Sequence, residues 1–135
     1  MAPMEVGMLA AILVGVGGMI GSISRYEMSA WVNKHTTGPG LPIYGTLTVN
    51  MIGCLVIGLI AGLAQYKGIV GPNTNRLLVI GVLGGFTTFS SFGNETFALF
   101  RDDRVLAGMA NMIAQPLVGL ACVAAGFGLM RLVYR

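Results

Sequence analysis

The sequence predicts an all-α membrane protein with four transmembrane helices, the third of them broken at Gly84–Thr88. Of the 135 residues, 55% are hydrophobic and only 10% charged, and the mean hydropathy of +0.79 implies more apolar surface than a soluble chain of this length can bury. Crossing a hydrocarbon core of about 30 Å takes roughly 20 consecutive apolar residues. The chain holds four such runs nearly end to end. The intervening segments are short and rich in Pro, Gly, Asn and charge, so residues 1–135 are read as a single four-helix transmembrane domain.

The first span covers about 6–28, and Val6 to Ser24 is free of charge. No Lys or Arg precedes it, and Glu5 stands where a cleavable signal peptide carries positive charge, so the run is read as a mature span. The second span, about 45–65, is uncharged and follows the loop at 33–44. The third, about 76–100, follows the loop at 66–76 and has a polar, glycine-rich middle. A tight Arg101-Asp102-Asp103-Arg104 turn leads into the fourth, about 105–133, whose strongly polar members are Asn111 and Gln115. Cys54 and Cys122 lie deep in apolar spans and are expected to pack as small hydrophobes. Gly17 and Gly21, and again Gly58 and Gly62, stand four residues apart. Such small-xxx-small faces serve close helix packing, within one subunit or between two.

The net charge of +3 comes from basic residues scattered singly at helix ends, which suits lipid headgroups and not nucleic acid. With four spans, both termini and the loop between spans two and three share a side that carries Lys67, Arg76, Arg131 and Arg135, against Lys34, Arg101 and Arg104 opposite. A split of four against three offers the insertion machinery little to read, so copies are expected to enter in both orientations and pair antiparallel. Four short helices also enclose too little volume for a pore, and polar groups on their surface call for a second copy to cover them.

Polar residues inside the spans carry the functional signal, because they are costly there. Arg25 continues the stripe of Gly17 and Gly21, so it points into protein if that stripe is packed and otherwise snorkels to headgroups. Asn50, with Thr46 a turn before it, serves either as an interhelical hydrogen bond or as a donor to an anion or water in transit. In Gly84 to Glu95 (GGFTTFSSFGNE), glycines and β-branched residues weaken the helix and predict a break. Non-helical backbone at membrane depth has to be buried or line a polar cavity, and its carbonyls can hold a cation such as sodium. Beyond the break, Thr88, Phe89, Phe92 and Glu95 fall on one side of a half-helix, where ring edges present the positive rim of the aromatic quadrupole to an anion. For Glu95, a cap near the membrane surface, a contact with Arg25 and a place in a solvent vestibule all stay open.

Three ordered motifs on successive spans carry a resemblance that covers essentially the whole chain. They are Gly17-Gly18-Met19-Ile20-Gly21-Ser22-Ile23-Ser24-Arg25-Tyr26, Gly45-Thr46-Leu47-Thr48-Val49-Asn50, and Gly84-Gly85-Phe86-Thr87-Thr88-Phe89-Ser90-Ser91-Phe92 with Glu95. The chain resembles the small fluoride channels called Fluc, or CrcB proteins. The resemblance implies an antiparallel, dual-topology homodimer in the bacterial inner membrane, with two parallel fluoride pathways. It implies a structural sodium ion at the dimer centre, held by backbone carbonyls that fall here on Gly84 and Thr87. By the same carry-over Phe89 and Phe92 form a phenylalanine box, Asn50 donates to fluoride and Arg25 supplies positive charge near a vestibule. Thr46, Thr88, Ser90 and Ser91 become polar support. Passive conduction without enzymatic chemistry is expected.

Fluoride is small and tightly hydrated, so a channel for it must replace water with close donors yet hold the ion weakly enough to release it. The fourth span departs from the family's usual tyrosine followed by serine or threonine at four-residue steps, because Asn111, Gln115 and Gly119 stand there instead. A small multidrug-type dual-topology exporter is the alternative. Proton-coupled export of cations wants a mid-span carboxylate, and the first span has none.

Overall fold

A computed structural model of the chain describes residues 7–36 and 43–134. The expectations resting on Glu5, Val6, Arg135 and the middle of the 33–44 loop lie outside them. All regular structure among the described residues is helical: α1 (Met8–Thr36), α2 (Ile43–Lys67), α3 (72–86), α4 (Phe89–Arg101) and α5 (Val105–Tyr134). Among the described residues, four segments are long and apolar enough to cross a membrane, the third being Pro72–Arg101, which contains both α3 and α4. The helices overrun the apolar runs. α1 continues through Trp31, Lys34 and His35, because charge at a helix C-terminus suits the helix dipole and does not stop the winding.

Packing follows an interleaved order. α1 lies against α2 and α3, α5 lies against α2 and α4, and the break between α3 and α4 is where the third span changes partner. Lipid supplies no hydrophobic drive between helices, so close backbone approach and dispersion hold such a bundle together, and small residues decide where approach is possible. A Cβ on Gly21 would strike the Val82 carbonyl and one on Gly17 the Leu77 carbonyl, both on α3. A Cβ on Gly58 would strike the Val123 carbonyl of α5, and one on Gly62 would meet Met130 Cβ at 2.5 Å. Both glycine stripes are therefore spent within the subunit. Pro116 sits inside α5 without ending it.

The break is narrower than the sequence suggests. Gly84 and Gly85 stay helical, and only Thr87 (φ −89°, ψ 157°) and Thr88 (φ −150°, ψ 114°) are extended, near the middle of the span. Gly85 serves close approach, since a Cβ there would lie 2.5 Å from the Gly18 carbonyl. Preceding it, Asn75–Leu83 is wound as a wider π-helix.

Candidate functional site

An extended pair of residues at membrane depth needs partners for its backbone groups. Thr87 N–H still donates to the Leu83 carbonyl at 3.0 Å. Thr88 N–H, which a continuous helix would direct to Gly84, donates instead to Asn50 Oδ1 at 2.9 Å, and Asn50 Nδ2 returns a bond to the Thr88 carbonyl at 3.2 Å. Ser91 N–H, which would otherwise reach Thr87, donates to the Thr88 hydroxyl at 3.2 Å, capping α4. The carbonyls of Gly84 and Thr87 thus lose the donors that unbroken winding would bring them.

The Asn50 amide has a second hydrogen, and it goes to Gln115 Oε1 at 3.0 Å. Gln115 Nε2 donates to Asn111 Oδ1 at 3.3 Å, Asn111 Nδ2 to the Thr96 hydroxyl at 2.9 Å, and Thr96 to the Phe92 carbonyl at 2.8 Å. Gln115, Asn111 and Thr96 are all buried. Thr96 was missed in the sequence, although it stands four residues after Phe92 on the face of α4 that meets α5.

Two cavities flank the break, with Thr88 lining both. The larger, of about 440 Å³, is walled by Asn50, Gln115, Gly84, Thr87, Phe89 and Phe92 together with Cys54 and other apolar side chains. The two phenylalanine rings lie 5.5 Å apart, tilted by 57°; Phe92 is buried and Phe89 is 82% exposed. The second cavity, of about 400 Å³, is lined by Arg25, Thr46, Ser91 and Glu95 along with Tyr26, Ser29, Ala30 and Asn33. Thr46 donates to Glu95 Oε1. Arg25 Nε and Glu95 Oε2 are enclosed without a hydrogen-bond partner among the described residues, and the two side chains form no ion pair. The packed glycine stripe does turn Arg25 toward protein. Ser90 is exposed and shares a 3.3 Å contact with the Thr88 hydroxyl.

The structure thus gathers the expected residues around one break, with Asn111 a step behind it and Gly119 replacing a side chain beside Cys54. Cys54 and Cys122 are free and half-buried. No group of three or more His, Cys, Asp or Glu side chains able to hold a metal occurs among the described residues.

Comparison with known proteins shows the family. The family model described as CrcB-like protein, Camphor Resistance (CrcB), matches residues 12–127. A protein of Methylobacillus flagellatus named fluoride-specific ion channel FluC is 42% identical over 125 residues, covering 93% of this chain and 97% of its own. One of Rhizobium etli with the same name is 42% identical over 124 residues, covering 92% and 98%. Fluoride-specific ion channel FluC 1 of Methanosarcina acetivorans is 37% identical over 119 residues, covering 88% of each chain. With the match running from within α1 to within α5, this chain belongs to the CrcB family.

Proposed function

We propose that the chain is a fluoride-selective channel giving passive export of fluoride from the cytoplasm of a bacterium, working as an antiparallel homodimer with two pathways. The observation that carries this reading is the mid-span break, where the N-terminus of α4 opens beside the Phe89–Phe92 pair and a cavity reached by Asn50. A helix N-terminus carries partial positive charge, so at membrane depth it favours an anion without a full cation that would trap it. The relatives named as fluoride-specific channels support the choice of ion.

In this reading Arg25, Thr46, Ser91 and Glu95 border an aqueous vestibule, and Thr88 and Ser90 stand at the passage into the phenylalanine pair. Phe89 and Phe92 line the dehydrated stretch with ring edges. Asn50 donates to the ion by exchanging its bond to Gln115, while Gln115 belongs to the pathway through its hydrogen bond to Asn50 and Asn111 through its hydrogen bond to Gln115. The exposed Phe89 and Ser90 are surfaces for the second copy to cover.

A structural sodium ion between the two copies fits the donor chemistry, because the Gly84 and Thr87 carbonyls are hard oxygens that have lost their helical donors. Bound there, it would balance the partial negative charge of two helix ends; the chain's part is to hold those carbonyls off the winding through Asn50 and the Thr88 cap. Fluoride efflux from proteoliposomes, with chloride as control, tests the function. Selective fluoride efflux is expected, and efflux of both ions alike, or of neither, rejects it.

A further inference from the structure

Every amide in the buried chain that starts at Asn50 has its direction set by chemistry. Thr88 N–H can only donate, so Asn50 Oδ1 must face it, and one hydrogen of Nδ2 returns to the Thr88 carbonyl. The second Nδ2 hydrogen requires another acceptor, which turns Gln115 Oε1 toward Asn50 and Gln115 Nε2 toward Asn111 Oδ1. Asn111 in turn donates to Thr96, and Thr96 to the Phe92 carbonyl. Each link donates away from Asn50, a head-to-tail order in which neighbouring bonds polarise one another. The route begins at Thr88, the N-cap of α4, and ends at Phe92 and Thr96 on the same half-helix, so it forms a closed brace through α2 and α5.

We propose that Gln115 and Asn111 are positioning residues: they aim the Asn50 amide at the broken backbone and fix the rotation of α4 that presents Phe89 and Phe92, without touching the ion. Gln115 takes a hydrogen from Asn50 on Oε1 and passes one to Asn111 from Nε2, so one side chain spans the gap between α2 and the Asn111–Thr96 pair. The inference rests on the channel reading for its consequence on transport, but its geometric half stands apart from that reading.

The experiment compares Gln115→Met, Gln115→Glu and Asn111→Leu by hydrogen exchange at the Thr88 amide in the full-length protein and by fluoride against chloride efflux. Gln115→Met removes the acceptor at similar size, and Thr88 exchange is expected to speed up about tenfold, as befits one lost buried hydrogen bond. Gln115→Glu keeps an acceptor for Asn50 and should hold Thr88 exchange within about twofold of the parent. Asn111→Leu, one link further away, should fall between them. In efflux, Gln115→Met should lower fluoride-over-chloride selectivity, and should lower it no further in an Asn50→Ala background, since residues acting as a unit are not additive. Unchanged Thr88 exchange in Gln115→Met, equal loss of protection in Gln115→Glu, or additive efflux losses would overturn the proposal. If the parent protein passes no fluoride, the channel reading fails, and Thr88 exchange alone still decides the brace.

Discussion

Asn50 pairs with Thr88 as one peptide group pairs with another, its Oδ1 accepting the Thr88 N–H at 2.9 Å and its Nδ2 donating to the Thr88 carbonyl at 3.2 Å. A side chain from α2 thereby stands in for the helical bonds that the third span gives up. Asn50→Leu would leave the N–H and C=O of Thr88 and the Gln115 carbonyl without their partner at once. At about 1–3 kcal/mol for a buried group left unpaired, the variant should lose several kcal/mol of stability, read as a clear drop in thermal midpoint in detergent.

Phe89 and Phe92 should separate stability from transport. Phe92 is buried within the subunit and Phe89 is 82% exposed, so Phe92→Ile should cost about 1–3 kcal/mol and Phe89→Ile markedly less. Both should reduce fluoride efflux at least about tenfold, because the ring edge is lost in either case. Retained efflux in Phe89→Ile would count against a phenylalanine-lined path.

Gly21 and Gly18 offer a matched pair for packing. A Cβ at Gly21 would run into the Val82 carbonyl and lie 2.8 Å from Phe86 N, while one at Gly18 meets nothing within 4 Å. Gly21→Ala should therefore destabilise by about 1–3 kcal/mol or more, since helix backbone has to move. Gly18→Ala should be neutral or gain up to about 1 kcal/mol from helix propensity. Thermal unfolding of the two variants side by side reads the difference.

Much of this was legible before any coordinates. The four spans follow from apolar run length, and the break from the Gly-Gly-Phe-Thr-Thr stretch. What the residues could not convey was partnership. Adjacent glycines read equally well as a weak point in a helix or as a place for close approach, and only the proximity of Gly18 reveals that Gly85 does the latter. Asn111 and Gln115 showed a polar stripe four residues apart, but a hydrogen-bond route through Thr96 joins three segments distant in sequence. Arg25 and Glu95, open to a contact, share a cavity without pairing.

Orientation is testable through the charge split between the two faces. Several added Lys at the C-terminus should bias every copy one way, and activity expressed from that gene alone should fall. Co-expression with a copy biased the opposite way should restore it. Full activity of a single biased copy would argue against antiparallel pairing.

Replacing sodium by a bulky organic cation should lower the thermal midpoint by several degrees, with sodium restoring it. Indifference to the exchange would remove the proposed central ion.

The interleaving of the helices bears on how the protein is made. α1 finds α3, and α2 finds α5, so α1 and α2 each wait for a partner that comes later in the chain. A chain halted before Val105 would carry Gly58 and Gly62 bare toward acyl chains, with Asn50 seeking an acceptor that Gln115 has yet to bring. The packing around Asn50 is thus complete only once α5 is in place, and a fragment without α5 exposes that amide to the bilayer.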